Sequence, residues 1–192
     1  MTIGVLMPVK AFADAKQRLG PRLDAAARDR LAREMAATVL AAAAPLPVWV
    51  VTDDDDVSTW AEERGAGVVR QRRPGLSAAV NEAVAHLAAA GIERVVVVHA
   101  DLPLARNLSS VVGHDGVTLI PDRHDDGTNV VSVPSDAGFV FAYGPGSFAR
   151  HVAEAQRLGL ALRIVRDDAL GWDIDQPDDL TDIEWTFPVN PR

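Results

Sequence analysis

Apolar runs alternate along the chain with stretches in which apolar residues recur every three or four positions. "TIGVLMPV", near the start, is apolar on both faces and predicts a buried strand. A polar loop, "KAFADAKQRLGP", follows it. In "LDAAARDRLAREMAATVLAAAA" the residues Leu23, Ala27, Leu31, Met35 and Val39 share one helical face, and Asp24 stands where an N-cap belongs. "VWVVT" predicts a second strand, and "DVSTWAEERG" a short helix stopped at Gly65. "AGVVR" predicts a third strand and "LSAAVNEAVAHLAAAG" another helix closed by glycine. "IERVVVVHA" has the pattern of a strand at the centre of a sheet covered on both faces.

Beyond Leu104 the rhythm loosens. "LSSVVG" predicts a short helix, "GVTLIPD" a strand, and "TNVVSVP" with "AGFVFAY" a pair of strands. "GSFARHVAEAQRLG" predicts a helix, "LALRIV" a strand and "DDLTDIEW" a last short helix. Strand–helix units in this succession predict an α/β fold, a three-layer sandwich with a mostly parallel central sheet. No linker, repeat or low-complexity stretch divides it, so residues 1–192 are expected to form one domain.

Composition narrows the function. With 48% hydrophobic and 24% charged residues the chain belongs to the globular class. Its 27 acidic against 19 basic residues, a net charge of −8, argue against nucleic acid as a partner. The absence of cysteine excludes disulfides, thiolate nucleophiles and Cys-ligated zinc, and fits a reducing compartment. The first residues read as a strand rather than a signal peptide, and no apolar run reaches membrane-spanning length. A cytoplasmic protein without membrane contact is therefore expected. Whether it forms a homo-oligomer is not legible in the sequence.

The candidate chemistry lies in acidic and basic loops. In open parallel sheets, ligands gather beyond the carboxyl ends of the strands. Asp101, in "HADLP", follows "VVVV" and fits either a turn or a charged group at such a crevice. "GWDIDQPDDL" places Asp173 and Asp175 two apart, so an extended backbone puts both carboxylates on one face and Ile174 on the other. Like charges at that spacing need a cation, for which Mg²⁺ is the natural hard partner and Mn²⁺ its alternative. Asp178 and Asp179 occupy helix-cap positions. In "TDDDDVSTW", Asp54 or Asp55 is expected to cap the next helix. Lys10, Lys16 and Arg18 in the first loop have the charge to neutralise a triphosphate. In "YGPGSFARH", Gly144, Gly146 and Ser147 open a helix whose free N–H groups suit an anion, or else form only a turn and cap. "DRHDDGTN" offers the Gly127 N–H and the Thr128 hydroxyl. A GxxxxGK[ST] loop, a GxGxxG turn and a G-x-S-x-G elbow are all absent.

Taken in order, "PVKAFADAKQRL", "HADLP", "PDRHDDGTNVV", "YGPGSFARHVAEA" and "DIDQPDDL" resemble the 2-phospho-L-lactate / phosphoenolpyruvate guanylyltransferase family of deazaflavin coenzyme biosynthesis. The resemblance spans nearly the whole chain. It implies a nucleotidyltransferase-like fold that joins the GMP part of GTP to the phosphate of a small three-carbon acid. Phosphoenolpyruvate is the implied acceptor, with 2-phospho-L-lactate and 3-phospho-D-glycerate as alternatives. It also implies metal ligation by Asp101, Asp173 and Asp175, acceptor binding by Thr128, Gly144 and Ser147, and a basic loop of Lys10, Lys16 and Arg18. Ser77 stands where relatives often have asparagine, with Asn81 one turn later as the substitute contact. Gln176 stands where threonine is common. A molybdenum-cofactor guanylyltransferase is disfavoured by the missing glycine-rich first loop. A non-catalytic nucleotide-binding regulatory protein is disfavoured by the presence of all three aspartates.

Overall fold

The computed structural model describes residues 1–182. Four strands come first: β1 (Ile3–Pro8), β2 (Val48–Thr52), β3 (Gly67–Arg70) and β4 (Arg94–Val98). They are joined through helices α1 (Ala25–Ala42), α2 (Asp55–Glu62) and α3 (Leu76–Ala89). Then come β5 (Val117–Pro121), β6 (Thr128–Pro134), α4 (Ser147–Arg157), β7 (Leu162–Ile164) and the short α5 (Asp179–Asp182). The expected final helix is described only as far as Asp182, and its last residues, with Trp185, lie outside the described residues.

All seven strands form one sheet in the order β3-β2-β1-β4-β6-β5-β7. Only β6 runs against its neighbours, pairing antiparallel with β4 and β5. The mostly parallel sheet expected from the sequence is present, and the reversal has a use. It starts β6 at the edge where β1, β4 and β5 end, so Thr128 lies beside the residues that follow Val98.

Alternation along the strands builds the two cores. Val96 and Val98 face the side covered by α1 and α2, where Met35's neighbours Ala36 and Val39 pack with Val57 and Trp60. Val95 and Val97 face α3 and α4, among Val80, Val84, Leu87 and Ala155. A strand buried on both faces is uniformly apolar for this reason. Trp49 lies flat across the sheet because its neighbours there are glycines. A Cβ at Gly4 or Gly67 would come within 2.8 or 2.6 Å of the indole.

The caps of α1 and α2 are as the sequence suggests. Asp24 accepts from the Ala27 N–H at 2.8 Å and Asp54 from the Val57 N–H at 2.8 Å. Each satisfies an N–H that the first helical turn leaves free. The rest of the "DDDD" run faces outward, with Asp55 paired to Arg70 and Asp56 to Arg33.

One expected element is missing. "AGFVFAY" forms no strand, because β6 already has β4 on one side and β5 on the other. The segment lies instead against α3 and α4, and side chains take over the role of a ladder. The N–H groups of Val140, Phe141, Ala142 and Tyr143 donate to Glu154 Oε1, Asn81 Oδ1, His151 Nε2 and Ser77 Oγ, at 2.9 to 3.0 Å. Because His151 Nε2 accepts, the ring is neutral and its Nδ1–H faces Thr128 Oγ1 at 3.0 Å.

Burial, followed by the charges of His99 and Arg150, lowers the His151 pKa to about 4. An unfolded histidine titrates near 6.5. The unfolded chain therefore binds the extra proton first, and the stabilisation present above pH 6.5 is lost as pH falls toward 4. The loss is about 3 kcal/mol. Urea unfolding at pH 7 and pH 4.5 should show it, and His151→Gln, which keeps an acceptor for Ala142, should flatten the dependence.

Candidate active site

The strand order turns at β1: β2 and β3 lie to one side of it, β4 and the rest to the other. Such a switch point opens a crevice beyond the carboxyl ends of the two central strands. The loop after β1 carries Lys16 into it, and the two residues after His99 carry Asp101. The segment before α5 supplies Asp173 and Asp175. Carboxylate oxygens of Asp101, Asp173 and Asp175 all lie within 4.8 Å of one another.

The alternation expected in "DIDQP" is what aims them. Ile174 is fully buried with Leu19, Leu31 and Met35 in a small cluster of its own. Leu19 belongs to the Lys16 loop, and Leu31 and Met35 to α1. One apolar contact thus anchors both charged loops, and the Ile174 N–H reaches the Asp101 carbonyl at 3.4 Å.

Lys16 holds the cluster together electrically. Its Nζ lies 2.6 Å from Asp101 Oδ2 and 2.9 Å from Asp175 Oδ1, and its side chain is only 10% exposed. It adopts left-handed backbone, φ 55°, a region that non-glycine residues enter at some cost. Burial works against its charge, but Asp101 and Asp175 raise its pKa above that of a free lysine. Burial would raise the Asp101 carboxyl as well, but the Lys16 charge beside it keeps the pKa below the ordinary value. Asp173 lacks that contact, and burial, then the charges of Asp101 and Asp175, push its pKa up to about 6.

Arg18 is 70% exposed and 3.9 Å from Asp175 Oδ2, and Lys10 is exposed at the start of the loop. Thr128 and Ser147 are buried, with their hydroxyls 3.5 Å apart. Gly144 and Gly146, at φ 111° and 72°, make the turn that leads into α4, and a side chain at either would be strained.

Several expected contacts are already taken. Asp126 occupies the start of α4, accepting from the Gly146 N–H at its Oδ1 and from the Phe148 N–H at its carbonyl. The Gly127 N–H donates to Asp122 Oδ2. The Asn81 amide donates to the Ser77 and Phe141 carbonyls and accepts from the Phe141 N–H. Its role here is to clamp the segment before Tyr143. Asp179, expected as a helix cap, turns back toward the loop before α5: its Oδ2 accepts from the N–H groups of Asp175 and Gln176 at 2.7 and 2.6 Å.

Reading the sequence missed Arg123, which pairs with Asp179. The available signal was one arginine among the aspartates of "PDRHDDGTN", just past a strand.

Comparison with known proteins shows the family and the fold. Residues 3–185 match the family model described as "Guanylyl transferase CofC like". The chain belongs to that family. A phosphoenolpyruvate guanylyltransferase of Roseiflexus castenholzii is 35% identical, covering 94% of this chain and 87% of the relative. Another, of Sphaerobacter thermophilus, is 35% identical over 98% of this chain and 96% of its own. A 3-phospho-D-glycerate guanylyltransferase of Phenylobacterium zucineum is 32% identical, covering 93% and 88%. Among solved structures, a putative nucleotide-diphospho-sugar transferase of Desulfovibrio desulfuricans shares the fold. It has a TM-score of 0.70 at 17% identity, covering 92% of this chain and 84% of its own. The CofC-like chain is thus a nucleotidyltransferase in fold and a guanylyltransferase by family.

Replacing Lys16 by Met should leave a buried carboxylate without its cation. The expected cost is about 3 kcal/mol in urea unfolding at pH 7. A loss below about 0.5 kcal/mol would show that solvent already screens the cluster.

Proposed function

We propose that the chain transfers GMP from GTP to phosphoenolpyruvate, forming enolpyruvyl-diphospho-guanosine and releasing pyrophosphate in deazaflavin coenzyme biosynthesis. The observation that carries this reading is the carboxylate triad at the switch point. Asp101 Oδ1 is buried there without a hydrogen-bond partner, and such a group has a substantial cost unless something else meets it. Three carboxylates, one of them with an unsatisfied oxygen, fit Mg²⁺, or Mn²⁺, and Asp101, Asp173 and Asp175 would hold it. When bound, the ion neutralises phosphate charge at the reacting centre.

The remaining work falls to the chain's own residues. The acceptor phosphate, with a second pKa of about 6, is largely ionised at neutral pH and needs no protein nucleophile. One of its oxygens attacks the α-phosphorus of GTP, the bond to the bridging oxygen breaks, and pyrophosphate leaves with that electron pair. Arg18 and Lys10, joined by Lys16 once it yields its place between Asp101 and Asp175 to the cation, serve the β- and γ-phosphates and the departing pyrophosphate. Thr128, Gly144 and Ser147 hold the acceptor in line, so that positioning supplies much of the rate. A cytoplasmic setting suits both substrates, and nucleic acid and membrane have no part in the scheme. Among the described residues no helix is long and apolar enough to cross a membrane.

The Phenylobacterium relative favours one variant of the reading, in which 3-phospho-D-glycerate is the acceptor. Parallel assays with GTP and each of phosphoenolpyruvate, 3-phospho-D-glycerate and 2-phospho-L-lactate decide it. Phosphoenolpyruvate should give the highest kcat/KM, and a preference for either other acid would reassign the acceptor.

Asp101→Asn should lower GMP transfer on the order of a hundredfold or more. Its far-UV circular dichroism should stay unchanged, since the amide keeps the shape of the carboxylate and Asp175 still pairs with Lys16. Turnover at the unmodified rate would sink the assignment of Asp101.

A further inference from the structure

Asp173 and Asp175 stand on a stretch without regular secondary structure, between Trp172 and α5. A loop that carries two neighbouring like charges tends to spread them apart, so something outside it must fix its backbone. The contacts converge on one residue of the loop between β5 and β6. Arg123 Nη1 donates to the Asp173 carbonyl at 3.0 Å. Its Nη2 donates to Asp179 Oδ1, and its guanidinium carbon lies 4.4 Å from the centre of the Trp172 ring. Its own backbone N–H donates to the Gly171 carbonyl at 2.9 Å. Asp179, only 6% exposed at its side chain, passes the hold on to the backbone N–H groups of Asp175 and Gln176.

We infer that Arg123 is a positioning residue for the carboxylate triad, fixing through Asp179 and Trp172 the backbone on which Asp173 and Asp175 stand. The role needs a planar fork, because one guanidinium must serve a carbonyl, a carboxylate and an aromatic face together. Ile174, buried in its apolar cluster, fixes the same span at a second point. Arg123 and Ile174 therefore hold the same short stretch through separate contacts, one polar and one apolar.

Charge and position make opposite demands here, which gives the inference a sign. Arg123 Nη1 is 4.0 Å from Asp173 Oδ1. If the arginine were only a nearby positive charge, removing it would tighten cation binding at the triad. If it positions the ligands, removing it loosens binding, typically by ten- to a hundredfold for a residue that orients metal ligands.

The inference rests on the proposed metal role of the triad, and the test separates the two. Mn²⁺ is titrated with GTP, without acceptor acid, into the whole chain and its variants. Water proton relaxation then distinguishes protein-bound Mn²⁺–GTP from free Mn²⁺–GTP, and a thermal melt of each protein reports folding. Arg123→Met should weaken Mn²⁺ binding about tenfold or more. Arg123→Lys, which keeps the charge against Asp179 but not the fork, should weaken it too. It is the variant that decides if Arg123→Met does not fold. Unchanged or tighter binding in the folded variants, with Asp101→Asn losing it, overturns the positioning role and leaves the metal reading standing. Failure of the unmodified protein itself to bind Mn²⁺ with GTP overturns both.

Discussion

Three carboxylates within 4.8 Å of one another are the constraint around which the rest of this molecule is arranged. Their mutual repulsion is offset chiefly by Lys16, which enters between Asp101 and Asp175 and closes two charge-assisted hydrogen bonds. The buried ammonium holds the Asp101 carboxyl below its ordinary pKa against the effect of burial. The cluster lies at the switch point, where the sheet reverses its winding.

The scaffold serves that cluster at several levels. Two cores cover the faces of the sheet and set its edges. The reversal of β6 carries Thr128 to the edge that holds Asp101. A third, much smaller cluster around Ile174 sits under the charged loops themselves. The segment at residues 140–143 has its N–H groups held by Glu154, Asn81, His151 and Ser77. Those bonds place Tyr143 and Gly144 next to Ser147, so the region assigned to the acceptor depends on side chains of α3 and α4.

Where a residue's role follows from periodicity, the sequence carried it. "VVVV" has to be a central strand, and the alternation in "DIDQP" has to bury Ile174 and present both aspartates. The helix caps at Asp24 and Asp54 follow from local hydrogen bonding alone. Other roles depend on partners distant in the chain. "AGFVFAY" has the alternation of a strand but no free sheet edge to join, which only the strand order reveals. Asn81 resembles a ligand-binding residue until its amide is seen bonded to Phe141, sixty positions away. Lys16 could be read as a phosphate contact, but not as the counter-ion of Asp101. Arg123 looked like one more charge in a polar loop, since nothing local shows that Asp179 and Trp172 come to meet it.

The central claim is that Asp101, Asp173 and Asp175 together form the metal site of a guanylyl transfer reaction. The most direct measurement is a crystal structure with GTP and Mn²⁺, without acceptor acid, with data collected at the manganese absorption edge. The account predicts an anomalous peak between the three carboxylates, touching the nucleotide phosphates. Bound GTP with manganese elsewhere, and Lys16 still bridging Asp101 and Asp175, would contradict it.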